Sequence, residues 1–290
     1  MAGSLIVVGT GIGLYGQTTL EARTHIEGAD KVFYLVADPV TSSWISELNP
    51  TAESLFRFYG RDKDRLTTYL EMTEHVLAGV RSDQNVCCVF YGHPGVFVFP
   101  SHEAIIRARA EGYSARMLPA VSAEDCLFAD LGIDPGRAGC QSYEATDFLV
   151  HSRKTDVTSV LVLWQIGVVG EINYGLSQTN SKIQVLTETL LMQYPSDHEV
   201  IVYQASQYPV CDPVMDRVSL SMLPNANITA ISTLVVPPVS LPVPNLEMLD
   251  KLGIPSWYIK KKQDTPTRYN LLRPQPFWGE HSDSVRAQSA

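Results

Sequence analysis

The chain reads Tyr91-Gly92-His93-Pro94-Gly95-Val96-Phe97-Val98 directly after an apolar run, residues 85–90, that is rich in β-branched and aromatic side chains. Such a run predicts a buried strand, and residues 101–110 predict a helix with Ser101 as its candidate N-cap. The segment is therefore expected to be a strand-to-helix turn at the carboxyl end of a parallel strand, where open α/β sheets bind ligands. Its glycines and proline let the backbone approach a ligand closely, although an ordinary βα turn has the same composition.

Length and composition limit the class of protein. The 290 residues are 45% hydrophobic, which suits one large or two smaller domains. The net charge of −9 argues against a nucleic-acid partner. The sequence has no apolar run of membrane-spanning length and no charged-then-apolar N-terminal signal, which predicts a soluble cytoplasmic protein without a membrane partner. Five cysteines without C-x-x-C spacing, and histidines without an H-E-x-x-H pattern, predict neither a disulfide framework nor a metal site.

The N-terminus shows a strand, a glycine-rich turn and a helix. Residues 4–8 predict the strand, Gly9-Thr10-Gly11-Ile12-Gly13 forms the turn, and residues 17–27 have helical apolar spacing. This order suits a nucleotide or another adenosyl ligand, but close backbone packing explains the glycines equally well. No acidic residue stands where a dinucleotide fold reads a ribose, which disfavours a nicotinamide enzyme. Asp38 precedes Pro39 and is interpreted as a turn residue.

A long helix is predicted over residues 62–80, and three polar residues stand just before and within it: Tyr59, Arg65 and Tyr69. Arg65 and Tyr69 are four residues apart and so share one helix face. A positive charge beside a phenol stabilises the phenolate. Spacing alone nevertheless favours an ordinary surface stack of arginine on tyrosine.

The second half begins with another strand-to-helix turn, residues 120–125. Ser122 is a good N-cap with Asp125 three residues on, and the same amides could hold a ligand. Strands are predicted over 159–166, 198–205 and 228–236, and a helix over 181–193. Gln165 closes the first strand, and Ser232 with Thr233 interrupts the third. Such hydroxyls usually satisfy local backbone groups, but they also read ligand edges.

These elements predict an α/β fold of two domains, residues 1–118 and 119–238, with a cleft between them. Pro237-Pro238 ends the packed part. Residues 239–290 are expected to form a C-terminal arm and tail that packs on the body or on a second subunit. Residues 245–252 predict a short helix, and the expected apolar anchors of the arm are Trp257, Tyr258, Phe277 and Trp278.

The arrangement resembles the tetrapyrrole methylase superfamily, whose members bind S-adenosylmethionine (SAM) between two α/β domains. Residues 4–13, 120–123 and 231–233 carry the likeness. Porphyrin-modifying members usually show Gly-Asp-Pro after the first glycines and again in the third-strand loop. Here those places read Leu14-Tyr15-Gly16 and Gly92-His93-Pro94, which counts against a tetrapyrrole substrate.

Longer motifs are similar to those of the borosin peptide backbone N-methyltransferases, and the likeness covers residues 3–238. The motifs are Phe90–Val98, Arg116–Pro119 with Val121–Leu127, and Ala129–Leu131 with Ile133–Pro135. The resemblance implies an enzyme of ribosomal peptide (RiPP) biosynthesis. It would move a methyl group from SAM to backbone amides of a precursor peptide and release S-adenosylhomocysteine.

Tyr59, Arg65 and Tyr69 stand at the spacing of that family's catalytic residues, so the resemblance makes them catalytic candidates together with Tyr91. It assigns Tyr69 as the base, with Arg65 stabilising its phenolate and the developing imidate oxygen. Tyr59 would bond the peptide carbonyl and Tyr91 would orient the amide. The SAM-binding residues that it implies are Tyr91, His93, Val96, Phe97, Ser122, Ala123, Gln165, Ala205, Ser232 and Thr233.

The resemblance also implies partners. Some borosin enzymes carry their substrate as a C-terminal extension rich in Val, Ile, Leu and Gly, and residues 257–290 have no such run. A split system is therefore expected, with a separate precursor methylated in trans by a homodimer, or within a heterotetramer that holds two precursors. The alternatives are a SAM-dependent methyltransferase of a small molecule such as a tetrapyrrole, and a non-catalytic homologue that binds a peptide.

Overall fold

The computed structural model describes residues 2–14, 16–36, 38–61, 63–173 and 180–259. These residues form two compact units. The first contains the chain up to Cys126 together with residues 171–173 and 205–211, and the second contains the remainder. Both units are therefore discontinuous in sequence. The expected boundary at residue 118 stays a prediction.

The first unit is built on a parallel sheet of five strands in the order β3-β2-β4-β1-β5. The strands are β1 (Ser4–Gly9), β2 (Lys31–Leu35), β3 (Glu53–Ser54), β4 (Asn85–Phe90) and β5 (Ser114–Met117). The run that precedes Tyr91 is thus the central strand, as predicted. Because all five strands run the same way, the turns that follow them leave from one edge.

Helices cover both faces of this sheet. Val86, Cys88 and Phe90 of β4 pack on one side with α3 and α4, while Cys87 and Val89 pack on the other with α1 and α2. Burial on both faces explains why β4 is an unbroken apolar run instead of an alternating one. The helices are α1 (Leu20–Gly28), α2 (Pro39–Leu48), α3 (Arg65–Arg81), α4 (Phe99–Ala110) and α5 (Ala123–Leu131), of which α5 crosses into the second unit.

Burial also determines the chemistry of the two strand cysteines. Cys87 and Cys88 are at most 1% exposed. Loss of solvation raises the pKa of the Cys87 thiol to about 12 and that of Cys88 well above its usual range.

Because the thiolate is the reactive form, we expect iodoacetamide at pH 8 to alkylate exposed Cys211 and to leave both strand thiols unmodified until the protein is denatured. Peptide mass mapping of native and denatured samples measures this, and rapid native labelling of Cys87 or Cys88 would contradict it.

The second unit contains a mixed sheet in the order β6-β7-β10-β8-β9. The β6–β7 pair is parallel and the remaining pairs are antiparallel. Its strands are β6 (Cys140–Glu144), β7 (Val160–Trp164), β8 (Glu199–Gln204), β9 (Val214–Ser219) and β10 (Thr233–Val236). Its other helices are α6 (Pro135–Ala138), α7 (Ala145–Val150), α8 (Asn180–Leu191) and α9 (Leu246–Lys251).

Several predicted boundaries move because side chains cap the backbone. Helix α1 begins at Leu20 instead of residue 17, because Thr19 caps it and the Gln17 amide oxygen accepts from the N–H groups of Ile12 and Gly13 at 2.8 and 2.9 Å. Helix α3 begins at Arg65 because Asp64 is its N-cap. The predicted start at residue 62 lies outside the described residues, as does the predicted strand end at residue 37.

The sequence interpretation of Ser101 is wrong, and that of Asp38 is incomplete. Ser101 does not cap α4, which begins at Phe99 after Val98. The Ser101 hydroxyl lies within the helix and donates to the carbonyl oxygens of Pro94 and Val98. Asp38 is more than a turn residue, because its carboxylate accepts from the Thr41 N–H at 2.8 Å and caps α2. This helix was not predicted.

The third predicted strand of the second half is shorter than expected. Strand β10 begins at Thr233 instead of residue 228, because residues 229–232 form a turn. In that turn the Ser232 N–H donates to the Thr229 carbonyl at 3.0 Å. Beyond β10, helix α9 buries none of its side chains, and Trp257 and Tyr258 are exposed. The anchors Phe277 and Trp278 lie outside the described residues.

No helix in the described part of the chain has both the length and the apolar character needed to cross a membrane. Within the same ranges there is no group of three or more His, Cys, Asp and Glu side chains arranged to hold a metal ion.

Candidate active site

Three turns converge at the carboxyl edge of the parallel sheet. Those after β1 and β4 are bonded to each other, since the Gly92 N–H donates to the Gly11 carbonyl at 3.0 Å and the Gly11 N–H to the Gly92 carbonyl at 3.3 Å. A Cβ atom at Gly9 would lie 2.1 Å from the Gly92 carbonyl oxygen and 2.7 Å from the Ala120 Cβ of the turn after β5. Gly9 therefore allows the backbones of these turns to pack directly against each other.

This close approach predicts the effect of adding one methyl group. Gly9→Ala would force the turns after β1 and β4 apart, and we expect it to lower the free energy of unfolding by about 1–3 kcal/mol. Gly28→Ala is the matched control, because a Cβ there meets nothing within 4 Å, and it should change stability by less than about 1 kcal/mol. Urea unfolding measures both, and a Gly9→Ala protein as stable as the control would contradict the packing.

The loop from Tyr91 to Val98 is held by its own hydrogen bonds. The Gly95 N–H donates to His93 Nδ1 at 2.9 Å, and the Val96 N–H donates to the His93 carbonyl at 3.1 Å. Phe97 has a left-handed φ of 57°, a conformation that costs a bulky residue about 1–3 kcal/mol. Val96 and Phe97 are 39% and 49% exposed. The loop thus combines an unfavourable backbone conformation with two partly exposed apolar side chains, a combination that is common in binding loops.

Tyr91 stands at the start of this loop and is half-buried. Its N–H donates to the Leu35 carbonyl at 3.1 Å, which fixes its backbone to β2. Its phenol oxygen accepts a hydrogen bond from Gln207 Nε2 at 3.2 Å. Burial raises the pKa of Tyr91, and nearby Cys126 and Asp38 raise it further, against a lowering by Gln207. The Tyr91 phenol is therefore neutral at physiological pH.

The turn after β5 is closed by a reciprocal cap. The Asp125 carboxylate accepts from the N–H and the hydroxyl of Ser122 at 2.7 and 2.8 Å, and the Ser122 hydroxyl accepts from the Asp125 N–H at 3.2 Å. The predicted N-cap is confirmed. Ala123 follows as the first residue of α5.

Tyr59 and Tyr69 meet edge to face, with ring centroids 6.5 Å apart. Tyr69 also stacks on Phe99 at 6.1 Å, so the helix that carries it adjoins the start of α4, directly behind the loop. Arg65 is the first residue of the same helix, one turn before Tyr69, and its N–H donates to the Ile172 carbonyl at 3.1 Å. The sequence prediction that Arg65 and Tyr69 share one helix face agrees with their positions in α3.

The other predicted SAM-binding residues lie in two places. Ala205 belongs to a segment of the first unit, residues 205–211. Gln165, Ser232 and Thr233 lie in the second unit, where Gln165 has a left-handed φ of 60°. The Ile166 N–H, directly after it, donates to the Ser232 carbonyl at 3.1 Å. The buried Ser232 hydroxyl accepts from the Thr229 N–H at 2.8 Å and from Gln204 Nε2 at 3.0 Å, so it satisfies local groups.

Sequence reasoning missed Gln207 and undervalued Asp38. Gln207 lies 116 positions after its partner Tyr91, in a polar segment without periodicity, so no local pattern could indicate it. Asp38 did carry a signal, because an acid directly before a proline is a common start of a helix.

Comparison with known proteins identifies the family of this chain. The model of the tetrapyrrole (corrin/porphyrin) methylases matches residues 4–206. The chain belongs to this family. Members of this family use SAM as the methyl donor. The tetrapyrrole methylase fold is also that of uroporphyrin-III-C-methyltransferase from Thermus thermophilus, whose crystal structure is similar with a TM-score of 0.58 at 19% identity, over 88% of this chain and 98% of that one.

Relatives found by sequence indicate a narrower group within this family. This chain is 46% identical over 258 residues to the methyltransferase/ribosomally synthesized cyclic peptide omphalotin A precursor of Omphalotus olearius, over 87% of this chain and 62% of that one. It is 45% identical over 266 residues to a methyltransferase/ribosomally synthesized type I borosin cyclic peptide precursor of Coprinopsis marcescibilis, over 87% and 67%. The likeness to borosin proteins is thereby confirmed. The chain spans about three fifths of the length of the first relatives that it matches.

Proposed function

We propose that this chain is a SAM-dependent methyltransferase that methylates backbone amide nitrogens of a precursor peptide. One observation carries the proposal. The edge-to-face tyrosines Tyr59 and Tyr69, with Arg65 one helical turn away, adjoin a self-bonded loop that begins with a neutral Tyr91. This arrangement occurs in a chain whose relatives carry the names of peptide precursors.

An amide nitrogen is a poor nucleophile because its lone pair is delocalised into the carbonyl group. It becomes reactive when it loses its proton, and most of the resulting charge then lies on the carbonyl oxygen. The reaction therefore needs a base for the N–H and a partner for the oxygen. Three phenols and one guanidinium offer groups for both needs.

The residues divide these tasks in the proposal. Tyr69, as a phenolate, accepts the amide proton, and the Arg65 guanidinium stabilises first the phenolate and then the imidate oxygen. Tyr59 donates a hydrogen bond to the peptide carbonyl. Tyr91 orients the amide, and its raised pKa keeps it protonated for that task.

The residues present fit SAM, which supplies the methyl group when bound. The loop after Tyr91 presents Val96 and Phe97 to the outside, at 39% and 49% exposure, so these apolar side chains can contact an adenosyl group. Carbonyl oxygens and aromatic faces accommodate a sulfonium cation. The proposed contacts follow the family resemblance and are Tyr91, His93, Val96, Phe97, Ser122, Ala123, Gln165, Ala205, Ser232 and Thr233.

We further propose that the enzyme is a cytoplasmic homodimer and that the peptide is a separate chain. The homodimer rests on the family resemblance, and the exposed arm around α9 is compatible with it. The printed names of the relatives join methyltransferase and precursor, so a peptide joined to the chain is the alternative that the test must separate from a peptide in trans.

Mass spectrometry tests the proposal with two probes. The purified protein is incubated with SAM and with the peptide encoded beside its gene, and a second form carries the same peptide joined to its C terminus. Mass increments of one methyl on the separate peptide support methylation in trans. Increments only on the joined peptide refute the trans arrangement, and increments on neither, together with methylation of a uroporphyrinogen, refute a peptide substrate.

A further inference from the structure

The hydrogen bond between Gln207 and Tyr91 determines which way the Tyr91 phenol can donate. An amide nitrogen only donates, so the bond from Gln207 Nε2 to the phenol oxygen, at 3.2 Å, makes that oxygen an acceptor. The phenol hydrogen must then point toward another acceptor. Buried or half-buried polar groups rarely go without such a partner, and a bound substrate can supply it.

The surroundings keep the phenol in this state. Burial, with Cys126 and Asp38 nearby, raises the pKa of Tyr91, so the hydroxyl does not lose the hydrogen that it donates. A hydrogen bond accepted by a hydroxyl oxygen also polarises its O–H and makes it a better donor. Gln207 therefore both directs and strengthens the donor.

Gln207 is itself held in place by a turn. The Ser206 hydroxyl donates to the Tyr208 carbonyl at 2.9 Å and accepts from the Tyr208 N–H at 3.3 Å. The Cys211 N–H donates to the Tyr208 carbonyl at 2.9 Å. This segment leaves the second sheet after β8 and joins the compact first unit. The glutamine is thus presented to Tyr91 by an ordered turn.

We propose that Gln207 is a positioning residue, which fixes the Tyr91 phenol as a donor to the carbonyl oxygen of the amide that is methylated. The inference rests on the proposed function, since it names the group that aims one of the site's donors. If the direction of the bond matters, replacing the Gln207 donor by an acceptor lowers kcat more than removing the donor does.

Two substitutions separate these effects. Gln207→Leu removes the donor, and we expect kcat to fall by about tenfold, as for the loss of one hydrogen bond. Gln207→Glu supplies a carboxylate that accepts the phenol hydrogen and turns it from the substrate, and we expect kcat to fall by about 100-fold or more, as for the loss of an oxyanion donor. KM for SAM should stay within about twofold in both. Gln184→Leu and Gln184→Glu, on the exposed face of α8, are matched controls and should behave as wild type.

A double-mutant cycle asks whether the effect passes through Tyr91. In a Tyr91→Phe protein there is no phenol to aim, so both Gln207 substitutions should change kcat by less than about twofold. Equal losses with and without the phenol, or a Gln207→Glu enzyme with wild-type kcat, would overturn the inference while leaving the proposed function intact.

A measurement that does not need enzyme activity distinguishes failure of the Gln207 inference from failure of the proposed function. The protein, which has 13 tyrosines, is labelled with 3-fluorotyrosine, and its ¹⁹F resonance that disappears in Tyr91→Phe is assigned to Tyr91. We expect this resonance to shift in Gln207→Leu and Gln207→Glu and to stay in place in the Gln184 variants. An unmoved resonance overturns the inference, whether or not the wild-type protein methylates a peptide. Absence of peptide methylation by the wild-type protein refutes only the proposed function.

Discussion

Tyr69→Phe is expected to bind SAM as the wild type does and to lose methyl transfer by a factor of about 10²–10⁴, the range that a general base contributes. The substitution removes only the hydroxyl group. The ring retains its stacking on Phe99 and its edge contact with Tyr59, so the fold should be unaffected. Single-turnover mass spectrometry with bound SAM measures the rate, and calorimetry measures the affinity for SAM.

Tyr113→Phe is the matched control for Tyr69→Phe. Tyr113 packs partly buried against the same hydrophobic cluster, ahead of β5, and the account gives it no part in the reaction. We expect its turnover to equal that of the wild type. Normal turnover by Tyr69→Phe would remove Tyr69 from the role of base, whereas equal losses in both variants would indicate a structural effect.

Arg65→Met is expected to lower kcat by about 10²-fold or more, because it removes the charge that stabilises both the phenolate and the imidate oxygen. Arg65→Lys keeps a cation but lacks the planar fork of donors, so we expect an intermediate rate. The backbone bond from Arg65 to Ile172 is kept in both variants. Rates are compared at saturating SAM and peptide, so that a loss of affinity is not mistaken for a loss of catalysis.

Arg23→Met serves as the control for loss of an arginine. Arg23 pairs with Glu27 one turn along α1, and both side chains are about half exposed, so the pair contributes little to stability. It should leave kcat unchanged. If Arg65→Met turned over as fast as Arg23→Met, the proposed electrostatic role of Arg65 would be wrong.

The sequence predicted elements best where burial alone determines them. Strand β4 is apolar without interruption because helices cover both of its faces, and the turn behind it was located correctly for that reason. Strand β9 is half exposed with an irregular burial pattern, and it was not predicted. Helix boundaries failed where a side chain competes for the backbone, as Gln17 does before α1.

The site was predicted only in its local parts. Arg65 and Tyr69 share a helix, so spacing placed them together, but spacing alone favoured a surface stack over a reaction. Family resemblance was needed to assign them a role. Gln207 contacts Tyr91 across 116 positions of chain, a pairing that exists only after the segment after β8 has returned to the first unit. Its directional bond is visible only in the folded protein.

The most direct test of backbone N-methylation is the identity of the methylated atom. The peptide product of the reaction with SAM is hydrolysed completely in acid, and its amino acids are separated and identified by mass. We expect N-methyl amino acids in amounts that match the mass increments of the intact peptide. Methyl groups recovered on side chains, or ordinary amino acids only, would contradict it.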